Sequence, residues 1–319
     1  MGLRLLFFGT PAFAVPTLER LVGSRHQVVG VVTQPDRPRG RGQKVQPGAV
    51  KRVADTHGLT TLQPERLSDP AVLGSLEALR PDLGVVAAYG KILAQRVIDL
   101  PRLGLINVHA SLLPRWRGAA PVHRAILAGD HQTGVTIMRV VLALDAGPML
   151  AKVTTEIGVD ETSAEVESRL STLGAALLAE TVDRLASGPV PEEAQDERLV
   201  TYASRLTRRD SQIDWARPAA AIHNQIRGLQ PWPLAGAMLN GRRVSFLKSA
   251  VASTGPSGAR AGTVTAVDSD AFIVAAQPGS VRILSIQEAG RAPMRVRDFL
   301  NGRRVSPGDE VGPLPEAPA

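Results

Sequence analysis

The order of apolar runs at the start of the chain limits its folding choices more than any other feature. Leu3-Arg4-Leu5-Leu6-Phe7-Phe8 is almost continuously apolar and stops at Gly9, the pattern of a strand covered on both faces. Helical spacing over 13–22 and a second apolar run over 28–32 follow. A strand, a helix and a strand at this spacing predict a parallel pair joined by a right-handed crossover. Residues 83–88 and 105–108 are further runs of the same kind. The chain therefore begins as a doubly wound α/β sheet. Its first turn, Gly9-Thr10-Pro11-Ala12-Phe13-Ala14, lacks the Gly-x-Gly-x-x-Gly spacing, so a dinucleotide site is disfavoured despite the Rossmann-like start.

Ligands of open α/β sheets sit just beyond the carboxyl ends of strands, which directs attention to the end of the 105–108 run. There Asn107 and His109 stand two residues apart, and in an extended chain such positions share a face. Past Pro114 regular structure cannot continue, and the loop carries Arg115, Trp116 and Arg117. An amide that can donate to an oxyanion and an imidazole that moves protons near neutral pH fit acyl transfer through a tetrahedral intermediate. Neither is a nucleophile and the chain has no cysteine, so the attacking atom would come from the substrate. Read alone, Asn107 equally suits a turn cap, and His109 a strand-end residue with a satisfied ring. Residues 136–141 read as another buried strand, after which 144–148 turn sharply with Asp145 at the apex. Asp145 can orient His109 and stabilise its charged form, although Asp-x-Gly by itself signals only a turn.

These residues resemble the signature of the folate-dependent formyltransferases: Asn107, His109, Ser111-Leu112-Leu113-Pro114-Arg115-Trp116-Arg117-Gly118, and Leu144-Asp145 with Gly147. The likeness runs from Phe8-Gly9-Thr10-Pro11 through Thr33-Gln34-Pro35-Asp36-Arg37-Pro38, Ala88-Tyr89-Gly90 and Thr201-Tyr202-Ala203 to Ile213-Asp214-Trp215, Pro231-Trp232-Pro233 and Glu288-Ala289-Gly290-Arg291 with Pro293-Met294. It covers nearly the whole chain and is strongest to the branch whose acceptor is methionyl-tRNA. Where many members have Gly-Leu-Asp-Thr-Gly-Asp, this chain has Ala143-Leu144-Asp145-Ala146-Gly147-Pro148, keeping Asp145. The resemblance implies a Rossmann-like catalytic domain and an OB-like C-terminal β-barrel. It also implies a folate pocket lined by Ala88, Tyr89, Gly90, Ile92 and Leu93 and by Ser111, Leu112, Leu113 and Pro114. On structural grounds alone, Tyr89 serves equally well as a core aromatic with a wet hydroxyl.

Charge and length complete the domain picture. At 319 residues, with 44% hydrophobic content, two cores are expected. We expect a catalytic domain over 1–188, a Pro- and acid-bearing linker over 189–204, and a barrel over 205–319. Helical spacing marks 163–186, to which no chemistry is assigned, and 219–227. Short strands are predicted over 244–247, 262–267, 272–275 and 281–286, with a disordered tail after Pro307. The formal net charge is +7, and its excess is concentrated late: 22 Lys and Arg face 21 Asp and Glu in residues 1–204, but 15 face 9 in 205–319. A basic C-terminal unit suggests a polyanion. The loop 34–47 is also basic, and Gly40 and Gly42 around Arg41 permit close backbone approach to a partner. By resemblance its Arg37, Arg39, Arg41 and Lys44 are the tRNA-binding candidates, with Arg41 foremost; a flexible solvated loop is the alternative.

Zero cysteines excludes disulfides and thiolate metal sites. No segment approaches the roughly 20 continuous apolar residues of a membrane span, and the first residues lack a signal-peptide pattern. The expectation is a cytoplasmic monomer without a metal, using 10-formyltetrahydrofolate as formyl donor and initiator methionyl-tRNA as acceptor. Asn107 and charged His109 would stabilise the oxyanion while Asp145 holds His109. Two alternatives stand beside it: a formyltransferase acting on a small amine, and a non-catalytic RNA-binding protein on a decayed enzyme scaffold.

Overall fold

The computed structural model describes residues 2–39, 44–252 and 258–315. Its first sheet comprises β1 (Arg4–Gly9), β2 (Gln27–Val32), β3 (Thr61–Leu62), β4 (Leu83–Ala87), β5 (Leu105–His109), β6 (Gln132–Arg139) and β7 (Met149–Glu156), in the spatial order β7-β6-β5-β4-β1-β2-β3. β1 pairs in parallel with both β2 and β4, β2 with β3 and β4 with β5. From β1 the chain first winds outward through β2 and β3, then returns to β1's other side as β4. The ligand-bearing side of such a sheet is the carboxyl end of these strands.

The apolar runs do what their lack of alternation requires. Every residue of β4 is buried, as are Leu5 to Gly9 of β1, because helices cover both faces of a parallel sheet. β5 departs at one position: Asn107 is the half-buried residue in an otherwise buried strand. β6 runs antiparallel to β5, with Asn107 opposite Met138 and His109 opposite Thr136. The 136–141 run is thus the later part of a longer strand that begins at Gln132 and ends at Arg139; Val141 lies exposed beyond it.

The chain divides into two compact units, but not at a single point. The first holds residues up to Pro121, Gln132–Thr155 and Glu167–Ala203; the second holds Val122–His131, Glu156–Val166 and the residues from Ser204 onward. The stretch expected as a linker lies with the first unit as far as Ala203. Its Tyr202–Ala203 pairs with Arg117–Gly118 in a two-residue parallel ladder.

The second unit is a curled antiparallel sheet. Ala235–Leu239, Arg242–Val251, Ser280–Glu288, Phe272–Ala275 and Val264–Val267 lie side by side in that order. The first two join through Asn240 and Gly241, both at positive φ, the backbone that a two-residue hairpin demands. Phe246, Phe272, Val274, Ile283 and Ile286 are buried, and Trp215 meets Phe246 edge to face at 5.9 Å. The tail expectation needs correction. Val311–Gly312 adds a strand to Ala235–Leu239, and Glu310 bridges to Thr263, so the tail draws the sheet's two edges together. Buried Val311 anchors it, an apolar signal too short to register against the surrounding Pro and Gly.

Candidate active site

The site is built where β5 ends. His109 is its last residue and is 5% exposed. Its ring is held from both sides: Nε2 lies 3.0 Å from the carbonyl of Trp116, and Nδ1 lies 3.7 Å from Asp145 Oδ2. A carbonyl only accepts, so the first contact requires the proton on Nε2. Nδ1 is then the nitrogen that faces the carboxylate. Asn107, two residues back, is half-buried, and its side-chain amide takes no hydrogen-bond partner among the described residues. An amide in that state retains its donors for a ligand.

Asp145 arrives from the other end of β6, 36 residues along the chain from His109. Its backbone is left-handed, with φ 47°, a conformation that costs a non-glycine residue about 1 kcal/mol or more. The carboxylate accepts the Gly118 N–H at 2.8 Å, which ties the turn to the loop that follows β5. Gly147 allows the turn to fit, since a Cβ there would stand 1.9 Å from the Arg139 carbonyl. Of the three residues singled out in the sequence, Asn107 and His109 lie on β5 and Asp145 lies in the turn beyond β6; the His109 and Asp145 side chains are held by named bonds, while the Asn107 amide is not.

The loop between His109 and Gly118 is a tightly partnered element. Ser111 Oγ donates to the Arg115 carbonyl at 2.7 Å, while its own carbonyl accepts Thr136 Oγ1 at 2.7 Å. Thr136 Oγ1 in turn accepts the Leu113 N–H at 3.1 Å. Arg117, one of the two loop arginines, is 3% exposed, and its guanidinium binds Glu197 at 2.8 and 3.3 Å and Gln195 Oε1 at 3.0 Å. Arg115 instead lies over the Trp116 ring, 5.2 Å from its centroid.

The residues assigned by resemblance to the folate pocket fall into two groups. Ala88, Gly90 and Ile92 are exposed, Ile92 to 93%, and Leu112 and Pro114 are half-buried. Tyr89, Leu93, Ser111 and Leu113 are buried. Tyr89 packs edge to face on Phe8 at 5.7 Å, its carbonyl accepts Gln34 Nε2 at 2.8 Å, and its phenol oxygen has no partner among the described residues. Burial alone pushes that phenol's pKa up to about 12. Ala88 and Gly90 both adopt positive φ, so the chain turns sharply as it leaves β4 and presents its backbone outward.

The basic loop contains a hairpin of Arg37–Arg39 and Lys44–Gln46, in which Arg37 faces Gln46. Arg37 is exposed. Arg41 lies outside the described residues, as do the side chains of Arg39 and Lys44. Lys51, just beyond the basic loop, is bound to Asp36 at 2.9 Å, and this bond holds the Asp36 carboxyl below the usual carboxylate range.

Sequence reasoning gives no role to four residues that shape this site: Thr136, Gln195, Glu197 and Thr201, whose Oγ1 accepts the Trp116 N–H at 2.9 Å. Thr136 and Thr201 lie in stretches it does single out, but the partners of all four stand between 23 and 85 residues away along the chain. Among the described residues, no group of three or more His, Cys, Asp or Glu is arranged to hold a metal ion. No helix there is long and apolar enough to cross a membrane.

A largely parallel sheet with a candidate site at one strand end, followed by a small curled β-domain, is the arrangement to set beside known proteins. Residues 3–182 match the formyl transferase family and residues 205–304 the formyl transferase C-terminal domain. The chain belongs to the formyl transferase family. A methionyl-tRNA formyltransferase of Symbiobacterium thermophilum is 47% identical over 319 residues, spanning 99% of this chain and 97% of its own. That of Pseudomonas paraeruginosa is 46% identical over 302 residues, spanning 95% and 96%. Among solved structures, an N-formyltransferase from Helicobacter canadensis, in complex with folinic acid and dTDP-3-aminofucose, superposes with a TM-score of 0.69 at 17% identity, covering 90% of this chain and 99% of its own. HypX from Aquifex aeolicus in complex with tetrahydrofolic acid gives 0.62 at 15% identity, covering 94% and 47%. At those identities the likeness is one of fold.

Proposed function

We propose that this chain transfers a formyl group from 10-formyltetrahydrofolate to the α-amine of methionyl-initiator-tRNA, with Asn107, His109 and Asp145 as the reacting centre. The observation that carries the reading is an Asn107 amide without a partner among the described residues, two positions along β5 from His109, which lies 3.7 Å from Asp145. Near-full-length identity to proteins named for this reaction supports the acceptor. The bound donor supplies an activated formyl carbonyl. Asn107 donates to the negative charge that develops on the formyl oxygen. The uncharged α-amine attacks the formyl carbon, the bond between that carbon and the folate nitrogen breaks, and the proton that the amine sheds is passed to that leaving nitrogen. His109 Nδ1 is the atom suited to that, because Nε2 is committed to the Trp116 carbonyl and Asp145 faces the ring as counter-ion.

On this reading the donor lies along the exposed Ala88, Gly90 and Ile92 and the half-buried Leu112 and Pro114, above a floor of Tyr89, Leu93, Ser111 and Leu113. The basic hairpin with Arg37, Arg39, Arg41 and Lys44 meets the tRNA, Arg41 foremost. The domain roles follow: catalysis over 1–188, a connecting segment over 189–204, and tRNA binding by the basic 205–319. The chain acts as a monomer in a cytoplasmic, bacterial-type translation system.

The test is formyl transfer to methionine-charged initiator tRNA, run beside His109→Ala and beside a small-amine acceptor. Transfer to tRNA that collapses in the variant supports the reading. Transfer to the small amine alone overturns the acceptor, and transfer to neither overturns the activity. Arg41→Ala is expected to weaken activity on tRNA while leaving folate binding intact; equal loss of both would remove Arg41 from the tRNA contact.

A further inference from the structure

Gln195 lies in the stretch that reads as a linker, yet its side chain reaches both loops of the site. We infer that Gln195 is a positioning residue for Asp145, locking the 144–148 turn against the loop that follows β5. The inference rests on the reading of Asp145 as His109's partner.

The half-buried amide of Gln195 is used completely. Nε2 donates to the carbonyls of Asp145 and Gly147, both at 2.8 Å, and Oε1 accepts from Arg117 Nε at 3.0 Å. Arg117 is itself held by Glu197 at 2.8 and 3.3 Å, and its backbone N–H donates to the Thr201 carbonyl at 2.9 Å. A single side chain therefore spans the two loops that flank His109. The need for it lies at Asp145, whose φ of 47° persists only where the surroundings over-determine it. Without Gln195, one bond ties the apex to the neighbouring loop, the Gly118 N–H to Asp145 Oδ2 at 2.8 Å. That bond cannot fix where the backbone lies, so the carboxylate would swing off the 3.7 Å approach to His109 Nδ1 as the turn relaxed. The Gln195 amide clamps the carbonyls at the apex and two residues beyond it, leaving the carboxylate one direction.

A double-mutant cycle on formyl transfer tests this, since a residue acting through Asp145 has nothing to position once Asp145 is gone. Gln195→Leu is expected to lower kcat at least roughly tenfold in the otherwise native chain, with KM for both substrates within about twofold. In an Asp145→Ala background the same change is expected to lower kcat less than about twofold. Gln195→Glu, which keeps the size and the acceptor but loses both donors, should follow Gln195→Leu and serves in its place should that variant not fold. A purely structural residue would lower kcat by the same factor in both backgrounds, and that result overturns the positioning role alone. Should Asp145→Ala itself leave kcat unchanged, the reading of Asp145 falls and takes this inference with it.

Discussion

β4 and β5 are adjacent parallel strands, with Ala87 opposite Val108, and both finish at the same edge of the sheet. The segments that leave them are held in place by opposite means. Beyond β4 the segment 88–93 is anchored by apolar burial: Tyr89 and Leu93 enter a core with Leu6, Phe8 and Val97, while Ile92 between them projects into solvent. Beyond β5 the loop 110–118 is anchored by polar bonds from Thr136, Gln195, Glu197, Thr201 and Asp145. On the proposed function, with donor recognition beyond β4 and reaction beyond β5, the difference reflects what each must offer. A recognition rim needs a firm base and some bare surface, which hydrophobic anchoring provides without directional demands. A reacting centre needs groups held at fixed angles, and only hydrogen bonds supply direction.

The contrast breaks most sharply at its anchors. Tyr89→Ala should cost about 3–5 kcal/mol of stability, read as a lower denaturant midpoint with an unchanged slope. Asn107→Ala should leave stability within about 1 kcal/mol but lower kcat by roughly 10²–10³, about 2.7–4 kcal/mol of barrier. A stability loss as large as that of Tyr89→Ala would mean that the Asn107 amide supports the fold after all.

Titration sharpens the same comparison. The Tyr89 phenol is raised from 10.0 to about 12, so the unfolded chain ionises first and the group's contribution to stability, full below pH 10, declines as pH climbs toward 12. At pH 11 the decline should reach about 1.4 kcal/mol. Tyr89→Phe should remove that alkaline slope and, because it deletes a buried hydroxyl that has no partner among the described residues, be neutral or slightly stabilising at pH 7. An identical slope in both proteins would refute the assignment. The smallest effect is expected at Ile92, where Ile92→Ser should raise KM for the folate donor roughly fivefold, about 1 kcal/mol, with kcat and stability unchanged. An unaltered KM would remove Ile92 from the donor's contact surface.

Much of the site is legible in the chain itself. Asn107 and His109 announce themselves because a period of two in a strand is a local rule, and Asp145 because a sharp turn leaves its mark in Leu144-Asp145-Ala146-Gly147-Pro148. Arg117 shows where local rules stop. The sequence places it only as a charge in a Gly/Pro loop, and nothing nearby reveals that Glu197, 80 residues on, binds it. Ala235–Leu239 escapes notice although Asn240-Gly241 is a strong hairpin signal, because its Ala and Gly residues carry little apolar weight. The antiparallel course of β6 is equally hidden, since a buried strand has the same composition in either direction.

By itself the sequence determined a parallel α/β sheet followed by a unit of short strands, and it singled out Asn107, His109 and Asp145, which the proposed function takes as the reacting centre. These follow from periodicity, from turn residues and from the short reach of neighbours along a strand. Only the tertiary structure decided which of those groups remain free. Among the described residues it left the Asn107 amide open, bound His109 through Nε2 with Asp145 3.7 Å from Nδ1, buried Arg117, and turned an apparent linker into the brace of the site through Gln195. Hydrogen-bond partners across 48 to 85 residues carry no local signature, because a side chain's type constrains what it can bond to but not which distant segment the fold brings to it.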